Sequence, residues 1–170
     1  MAFMRNVNQG QRGHPSTADI LAGFADAGCP GARTFQSNGT IVFESDEPAR
    51  VVELAEEAIG VRSGVERDIR WIGLAELITV VDAHGSTPDA RRMEFTLHGG
   101  GPIDVRSPEI VALTSEHHCS VVDTGPGWAV VRNDVDGEGH ATPVLERLTG
   151  RRATSRGLPT VIRLVARFGE

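Results

Sequence analysis

Apolar residues recur along this chain in two spacings, one typical of short strands and one of amphipathic helices. Residues 2–5 form a short apolar run that predicts a strand. Between Ile20 and Ala27 the apolar positions are spaced for one face of a helix. Ser16 and Asp19 precede this stripe at the spacing of a capping box. The chain therefore opens with a predicted strand followed by a predicted helix.

The next segment predicts a hairpin, a second helix and a further strand. Residues 33–36 and 40–44 read as strands around the turn at residues 37–39, whose Ser-Asn-Gly sequence favours a hairpin. Asp46 precedes a second amphipathic stripe, and residues 68–72 predict the fourth strand. The predicted order of elements in this half is βαββαβ.

A similar pattern follows about 90 residues later, which is the signature of a repeated unit. It comprises predicted strands at 93–97, 120–123, 128–132 and 153–155, and predicted helices opening at Ser107, Thr142 and Pro159. The pattern predicts an α+β fold of two tandem ferredoxin-like subdomains, each an α-β plait, related by duplication. We expect an N-terminal plait at 1–73, a connecting helix and linker at 74–90, and a C-terminal plait at 91–170.

Length and composition bear on how the two halves pack and exclude several classes of function. Each half of the 170-residue chain is small for an independent core, so the halves are expected to dock together. The chain has no tyrosine, and all seventeen of its basic residues are arginine, which excludes a lysine Schiff base and a phosphate-loop lysine. The formal charge of −6 disfavours general attraction to nucleic acid or membrane. No apolar run approaches membrane length.

Cysteine usage and the remaining motifs predict neither metal, cofactor nor catalytic centre. Cys29 and Cys119 lack ligand partners at usable spacing, so reduced thiols in the cytoplasm are expected. His98-Gly99-Gly100-Gly101 is similar to the oxyanion loop of lipases, but no G-x-S-x-G nucleophile elbow accompanies it. We interpret these glycines as a flexible turn after a strand.

Nucleic-acid binding is also disfavoured. RNA-binding plaits stack bases on aromatic residues of their first and third strands. If Ile41 and Phe43 face the helices, the open face of the third strand carries no aromatic residue. The arginine-rich segment 146–168 is interpreted as a solvated or intramolecular face, with phosphate contact as the alternative.

A candidate ligand site follows from the topology. In a ferredoxin-like plait the first strand and the hairpin between strands two and three end at the same edge of the sheet. The first helix also begins there, and its free N–H groups favour an anion. The predicted ligand-binding residues are Arg5, Asn8, Gly10, Gln36, Ser37, Asn38 and Gly39. The alternative is that these polar side chains only tie loop backbone and that Arg5 pairs with a nearby acid.

Three motifs resemble the bacterial family called domain of unknown function 1697. Residues 4–10 (Met-Arg-Asn-Val-Asn-Gln-Gly) and 34–43 (Thr-Phe-Gln-Ser-Asn-Gly-Thr-Ile-Val-Phe) are similar to two of its motifs, and residues 153–161 (Ala-Thr-Ser-Arg-Gly-Leu-Pro-Thr-Val) to a third. The resemblance implies two α-β plait subdomains, in agreement with the repeat, and it brings no established activity. Asn6, Asn38 and Gly157 depart from the family pattern.

Together these patterns predict a cytoplasmic, non-catalytic protein that binds a small anionic ligand or a protein partner, as a monomer or weak dimer. The alternative is an enzyme acting on a small anionic substrate at the edge that holds Asn8 and Ser37. A lesser alternative is nucleic-acid binding through the arginine-rich C-terminus. Thr154, Arg156 and Thr160 are predicted to be structural, with anion contact as their alternative.

Overall fold

The computed structural model describes residues 1–169, which form two compact units, Met1–Ile72 and a second that begins at Gly73. The N-terminal unit contains β1 (Ala2–Met4), α1 (Thr17–Asp26), β2 (Arg33–Phe35), β3 (Thr40–Val42), α2 (Pro48–Ser63) and β4 (Ile69–Trp71). Its strands form one antiparallel sheet in the order β2-β3-β1-β4. The predicted βαββαβ order is confirmed for this half.

The second unit opens with α3 (Leu74–His84) and then repeats the same topology. It contains β5 (Met93–His98), α4 (Pro108–Glu116), β6 (Cys119–Gly125), β7 (Trp128–Asn133), α5 (Ala141–Thr149), β8 (Ala153–Gly157) and α6 (Leu158–Phe168). Its antiparallel sheet has the order β6-β7-β5-β8, which corresponds strand for strand to the first sheet. The α+β fold with two tandem plaits is thus confirmed. The division at 1–73, 74–90 and 91–170 stays a prediction.

The N-terminal core lies between one face of its sheet and the two helices. Strand residues with alternate spacing supply the sheet side, and the apolar stripes of α1 and α2 supply the other. Members of this core include Ala2, Met4, Ile41, Ile69, Ile20, Phe24, Val52, Ala55 and Ile59. The two helices approach each other closely at Gly23, where a Cβ atom would stand 2.4 Å from Ile59 Cγ1 and 3.3 Å from the Ala55 carbonyl oxygen.

In the C-terminal unit, alternate residues of the sheet again separate two sides. The core on one side brings together Ala129 and Val131 of β7 with Val144 and Leu145 of α5. The register pairs Phe95 with Val130 and Arg156, so these three side chains share the opposite side. Helix α6 packs against β5, β8 and α3, and Leu158, Val161 and Leu164 on its apolar stripe are buried.

A glutamate on the second helix of each plait holds the start of the fourth strand. Glu56 Oε2 accepts a hydrogen bond from Ile69 N at 2.7 Å. Glu146 Oε1 accepts one from Ala153 N at 3.0 Å. Ile69 and Ala153 are the first residues of β4 and β8, so the same interaction closes both plaits.

The side of the first sheet that faces away from α1 and α2 carries aromatic residues, as that of an RNA-binding plait does, but here they are buried. Phe43 packs against the helix side, with its ring centroid 5.2 Å from that of Phe24, so the condition set in the sequence analysis is met. However, the register places Phe3 and Phe35 opposite Thr40 on the other side, which the sequence interpretation overlooked. Phe3 is 0% exposed, and a buried ring cannot stack on a base.

Among residues 1–169, no helix combines the length and the apolar character that crossing a membrane would require.

The close approach at Gly23 generates a prediction with a matched control. Gly23→Ala is expected to destabilise the protein by about 1–2 kcal/mol, because overpacking against Ile59 outweighs the gain in helix propensity. Gly60 also lies within a helix, but its Cβ would meet only Glu66 Cγ at 3.7 Å. Gly60→Ala is therefore expected to stabilise by about 0.5–1 kcal/mol. Urea unfolding of both variants checks this, and an equal gain in both would contradict the packing at Gly23.

Candidate functional site

The predicted ligand residues lie where the loop after β1 meets the hairpin between β2 and β3. We call loop residues 5–16, hairpin residues 36–39 and Arg67, which binds the loop, the N-terminal edge. Met4 N donates a hydrogen bond to the Gly39 carbonyl at 2.8 Å, and Gln9 N donates one to the Ser37 carbonyl at 2.7 Å. The structure therefore places the two predicted segments beside each other, as the plait topology requires.

Gly39 makes this close approach possible. Its φ is +72°, in the left-handed region that side chains rarely adopt. A Cβ atom there would stand 2.9 Å from Val7 Cβ and 3.0 Å from Met4 Cβ. Val7 is buried, so its side chain fills the space over the hairpin glycine.

The loop is also held by its own polar groups. Asn8 N donates to His14 Nδ1 at 3.2 Å, and the Asn8 carbonyl accepts from Gln11 N at 3.2 Å. Thr17 Oγ1 donates to Gln9 Oε1 at 2.8 Å. Gly10, with φ +91°, is exposed and supplies a turn. Asn8 and Gly10 thus shape the loop through their backbone.

The hairpin residues predicted to bind a ligand also take part in the local structure of the turn. Gln36 is exposed and has a positive φ of 60°. Asn38 Oδ1 accepts a hydrogen bond from Thr40 Oγ1 at 2.8 Å, which fixes the end of the turn. The Arg5 side chain is half-buried, and its backbone N donates to the Asp68 carbonyl at 2.8 Å.

The sequence interpretation missed Arg67, which secures the loop from the other side. Arg67 Nε donates to the Asn6 carbonyl at 3.3 Å, and Nη2 donates to the Gly13 carbonyl at 3.5 Å. A third N–H reaches the Glu66 carbonyl at 2.9 Å. These acceptors are neutral, so they leave the positive charge in place, and two of the five guanidinium N–H groups remain for another acceptor. The topology contains the signal, because β4 runs antiparallel to β1 and must begin where β1 ends.

Gln9 presents a second group of interest. Its Nε2 atom is buried and has no hydrogen-bond partner, whereas its Oε1 atom is held by Thr17. A buried amide N–H₂ without an acceptor is unfavourable by about 1–3 kcal/mol. An oxygen-rich ligand that reached this atom would remove that cost. In sequence, Gln9 lies between Asn6 and Gly13, whose carbonyls accept hydrogen bonds from Arg67.

The N-terminus of α1 contributes less to this edge than the sequence predicts. The expected capping box is present: Asp19 N donates to Ser16 Oγ at 3.1 Å, and Ser16 N donates to Asp19 Oδ2 at 3.1 Å. Hydrogen bonds from Ser16 lower the pKa of the Asp19 carboxyl group, so it carries its negative charge at neutral pH. The helix therefore meets a carboxylate of its own chain, which weakens the attraction of an external anion.

The C-terminal residues lie elsewhere in the chain, at the junction of β8 and α6. Arg156 is 8% exposed, and its Nη1 donates to Thr154 Oγ1 at 3.1 Å and to the Ser155 carbonyl at 2.8 Å. Burial lowers the pKa of the Arg156 guanidinium to about 10. Thr160 Oγ1 accepts from Arg163 Nη2 at 3.1 Å. The structural role of the three residues stays a prediction.

The two cysteines are free thiols, and both are buried. Burial raises the pKa of Cys29. Burial, and to a smaller degree the charges of Asp134 and Glu94, raises the pKa of Cys119 to about 11. Within residues 1–169, no three or more histidine, cysteine or acidic side chains are grouped so that they could hold a metal ion.

These pKa values predict inert thiols in the folded protein. With a pKa near 11 instead of 9.0, Cys119 carries about a hundredfold less thiolate at pH 8. We expect iodoacetamide to alkylate both cysteines far more slowly in the native protein than in guanidinium chloride. Mass spectrometry over time measures this, and equal rates in the two conditions would contradict the burial of the thiols.

Comparison with known proteins supports the family. The family model described as "Protein of unknown function (DUF1697)" matches residues 1–99, which is more than half of the chain. This match contains the N-terminal edge and extends through β5; the third motif, at 153–161, lies beyond it. No curated protein and no solved structure matches the chain. The chain belongs to DUF1697, a family of proteins of unknown function.

Proposed function

We propose that this protein is a non-catalytic binding protein whose N-terminal edge takes a small anion such as a phosphate or a carboxylate. The observation that carries the proposal is the buried, unpartnered Nε2 of Gln9 in a loop that Arg67 secures. An anionic oxygen accepts hydrogen bonds from both amide and guanidinium groups, and the guanidinium adds its charge. A neutral ligand would gain these hydrogen bonds but not the attraction of the guanidinium charge.

The competing function is an enzyme on a small anionic substrate at the same edge, beside Asn8 and Ser37. Such an enzyme needs a proton donor or acceptor near the ligand. His14 is the group with that chemistry in the loop, and its Nδ1 accepts the Asn8 N–H, so the neutral ring carries its proton on Nε2. Turnover of a bound anion that His14→Gln abolishes would favour the enzyme over the binding protein.

Nucleic-acid binding through the C-terminus has less support. Arg156 is buried and its guanidinium is engaged within β8, so it is not displayed to a phosphate backbone. The net charge of −6 also opposes a polyanion. Affinity for RNA or DNA that falls steeply between low and moderate salt would reverse this ranking.

The proposal also covers the cellular location of the protein and the duplication of its plait. Two buried free thiols suit a reducing compartment, so we propose a cytoplasmic location. The proposal also takes the protein to be a monomer or weak dimer. The matching strand orders and the paired Glu56–Ile69 and Glu146–Ala153 hydrogen bonds support a duplication of one plait.

The test measures binding of inorganic phosphate, sulfate and succinate by isothermal titration calorimetry. Arg67→Gln is expected to weaken the affinity for the preferred anion at least tenfold, because a hydrogen bond to a charged group contributes about 1.5–3 kcal/mol. Gln9→Glu keeps the acceptor for Thr17 but sets a carboxylate in place of the amide nitrogen, and it should abolish binding.

Arg50→Gln is the matched control. Arg50 is an exposed arginine of α2 that pairs with Glu47 at 3.3 Å and lies outside the N-terminal edge. This variant should bind the anion as the unmodified protein does. Equal affinities in Arg67→Gln and Arg50→Gln, or no saturable binding of any of the three anions, would refute the proposed function.

A further inference from the structure

A cavity of about 420 Å³ opens in the C-terminal unit. It lies between the loop that follows β5 and the hairpin that joins β6 to β7. Its lining consists of Gly100, Gly101, Pro102, Ile103, Thr124, Gly125, Pro126 and Gly127. None of these side chains is ionisable, in contrast to the N-terminal edge with its arginines. The cavity contains two of the glycines that the sequence interpretation assigned to a flexible turn.

This cavity occupies the position in the second plait that the N-terminal edge occupies in the first. His98 N donates to the Gly127 carbonyl at 2.8 Å, as Met4 N donates to the Gly39 carbonyl at 2.8 Å. His98 and Met4 each end the first strand of a plait, and Gly127 and Gly39 each have positive φ, +76° and +72°. The two units therefore share this backbone hydrogen bond and the positive φ of its glycine.

The segments around this shared bond differ. The loop after the first strand spans residues 5–16 in the first plait and 99–107 in the second, and the hairpin turn spans residues 36–39 and 126–127. The residue three positions beyond the strand end differs as well. In the first plait this residue is Val7, which is buried over Gly39. In the second plait it is Gly101, and a Cβ atom there would meet nothing within 4 Å. Val7 covers the hairpin glycine in the first unit, whereas Gly101 has no side chain and lines a cavity in the second.

The walls of the cavity are fixed by contacts behind them. A Cβ on Gly125 would stand 2.3 Å from the Trp128 ring, so the hairpin backbone lies directly on the indole. Thr124 Oγ1 donates to the Trp128 carbonyl at 3.1 Å, and the indole N–H donates to Glu76 Oε1 at 2.6 Å. On the opposite wall, a Cβ on Gly100 would overlap Thr149 Cβ at 2.4 Å. A cavity held in this way is preorganised for a ligand.

We propose that this cavity binds a small, uncharged aromatic molecule. Its volume is within the range of small-molecule sites. Glycine backbone lets a flat ring approach closely, and the rings of Pro102 and Pro126 with the Ile103 side chain supply apolar contact. A charged ligand would lose its hydration here without gaining a partner of opposite charge from the lining.

The test uses indole as the neutral aromatic probe and indole-3-carboxylate as its charged counterpart. Titration is followed in ¹H–¹⁵N correlation spectra of the unmodified protein. Indole is expected to bind saturably and to shift the amide signals of Gly100, Gly101, Thr124 and Gly127. Indole-3-carboxylate is expected to bind at least tenfold more weakly at this cavity. Absence of saturable indole binding, or shifts confined to other residues, would overturn the proposal.

Gly101→Val reproduces the residue of the first plait and should fill the cavity. Gly101 has an ordinary φ and open space around it, so the valine is accommodated, and indole affinity should fall at least tenfold. Gly31→Val is the control, since Gly31 is an exposed loop glycine with equally open surroundings and does not line the cavity. Undiminished indole binding by Gly101→Val would overturn the proposal. Arg67→Gln should leave indole binding unchanged, which separates this site from the proposed anion site.

Discussion

The backbone hydrogen bond between the last residue of the first strand and the hairpin glycine organises both units. It joins Met4 N to Gly39 O and His98 N to Gly127 O, each at 2.8 Å. Both glycines adopt a positive φ that a side chain would strain. This bond fixes the position of the hairpin at each edge. The side chains of the loop that follows β1 or β5 then determine what packs over the hairpin.

The loops after β1 and β5 place different side chains at the two edges. After Met4 the chain places Val7 on the glycine and ties a polar loop through Gln9, His14 and Arg67. After His98 it runs through glycines and leaves an apolar cavity. We propose that one topology thus yields a cationic edge that binds an anion and an uncharged cavity that binds an aromatic ring. The α1 N-terminus does not add to the first of these, because Asp19 occupies it.

Much of this architecture could be predicted from the sequence, because its signals are local. Alternation marked the strands, the Ser-Asn-Gly turn marked the first hairpin, and Ser16 with Asp19 marked the start of α1. Arg67 and the cavity were missed because each depends on segments distant in sequence. A run of glycines looks the same whether it is a flexible turn or a cavity wall, and only the hairpin at 124–127 distinguishes the two. Phe3 was overlooked for the same reason, since its side of the sheet follows from pairing with Thr40.

The central claim is that the two edges share the hydrogen bond between strand end and hairpin glycine, and that the loop after β5 leaves open a cavity that a side chain at position 101 can fill. A crystal structure of the Gly101→Val variant tests it most directly. We expect the introduced valine side chain to lie in the cavity that Gly101 lines, with the bond from His98 N to Gly127 O retained. The cavity volume should then fall well below 420 Å³. A valine that points into solvent and leaves the cavity open would contradict the claim.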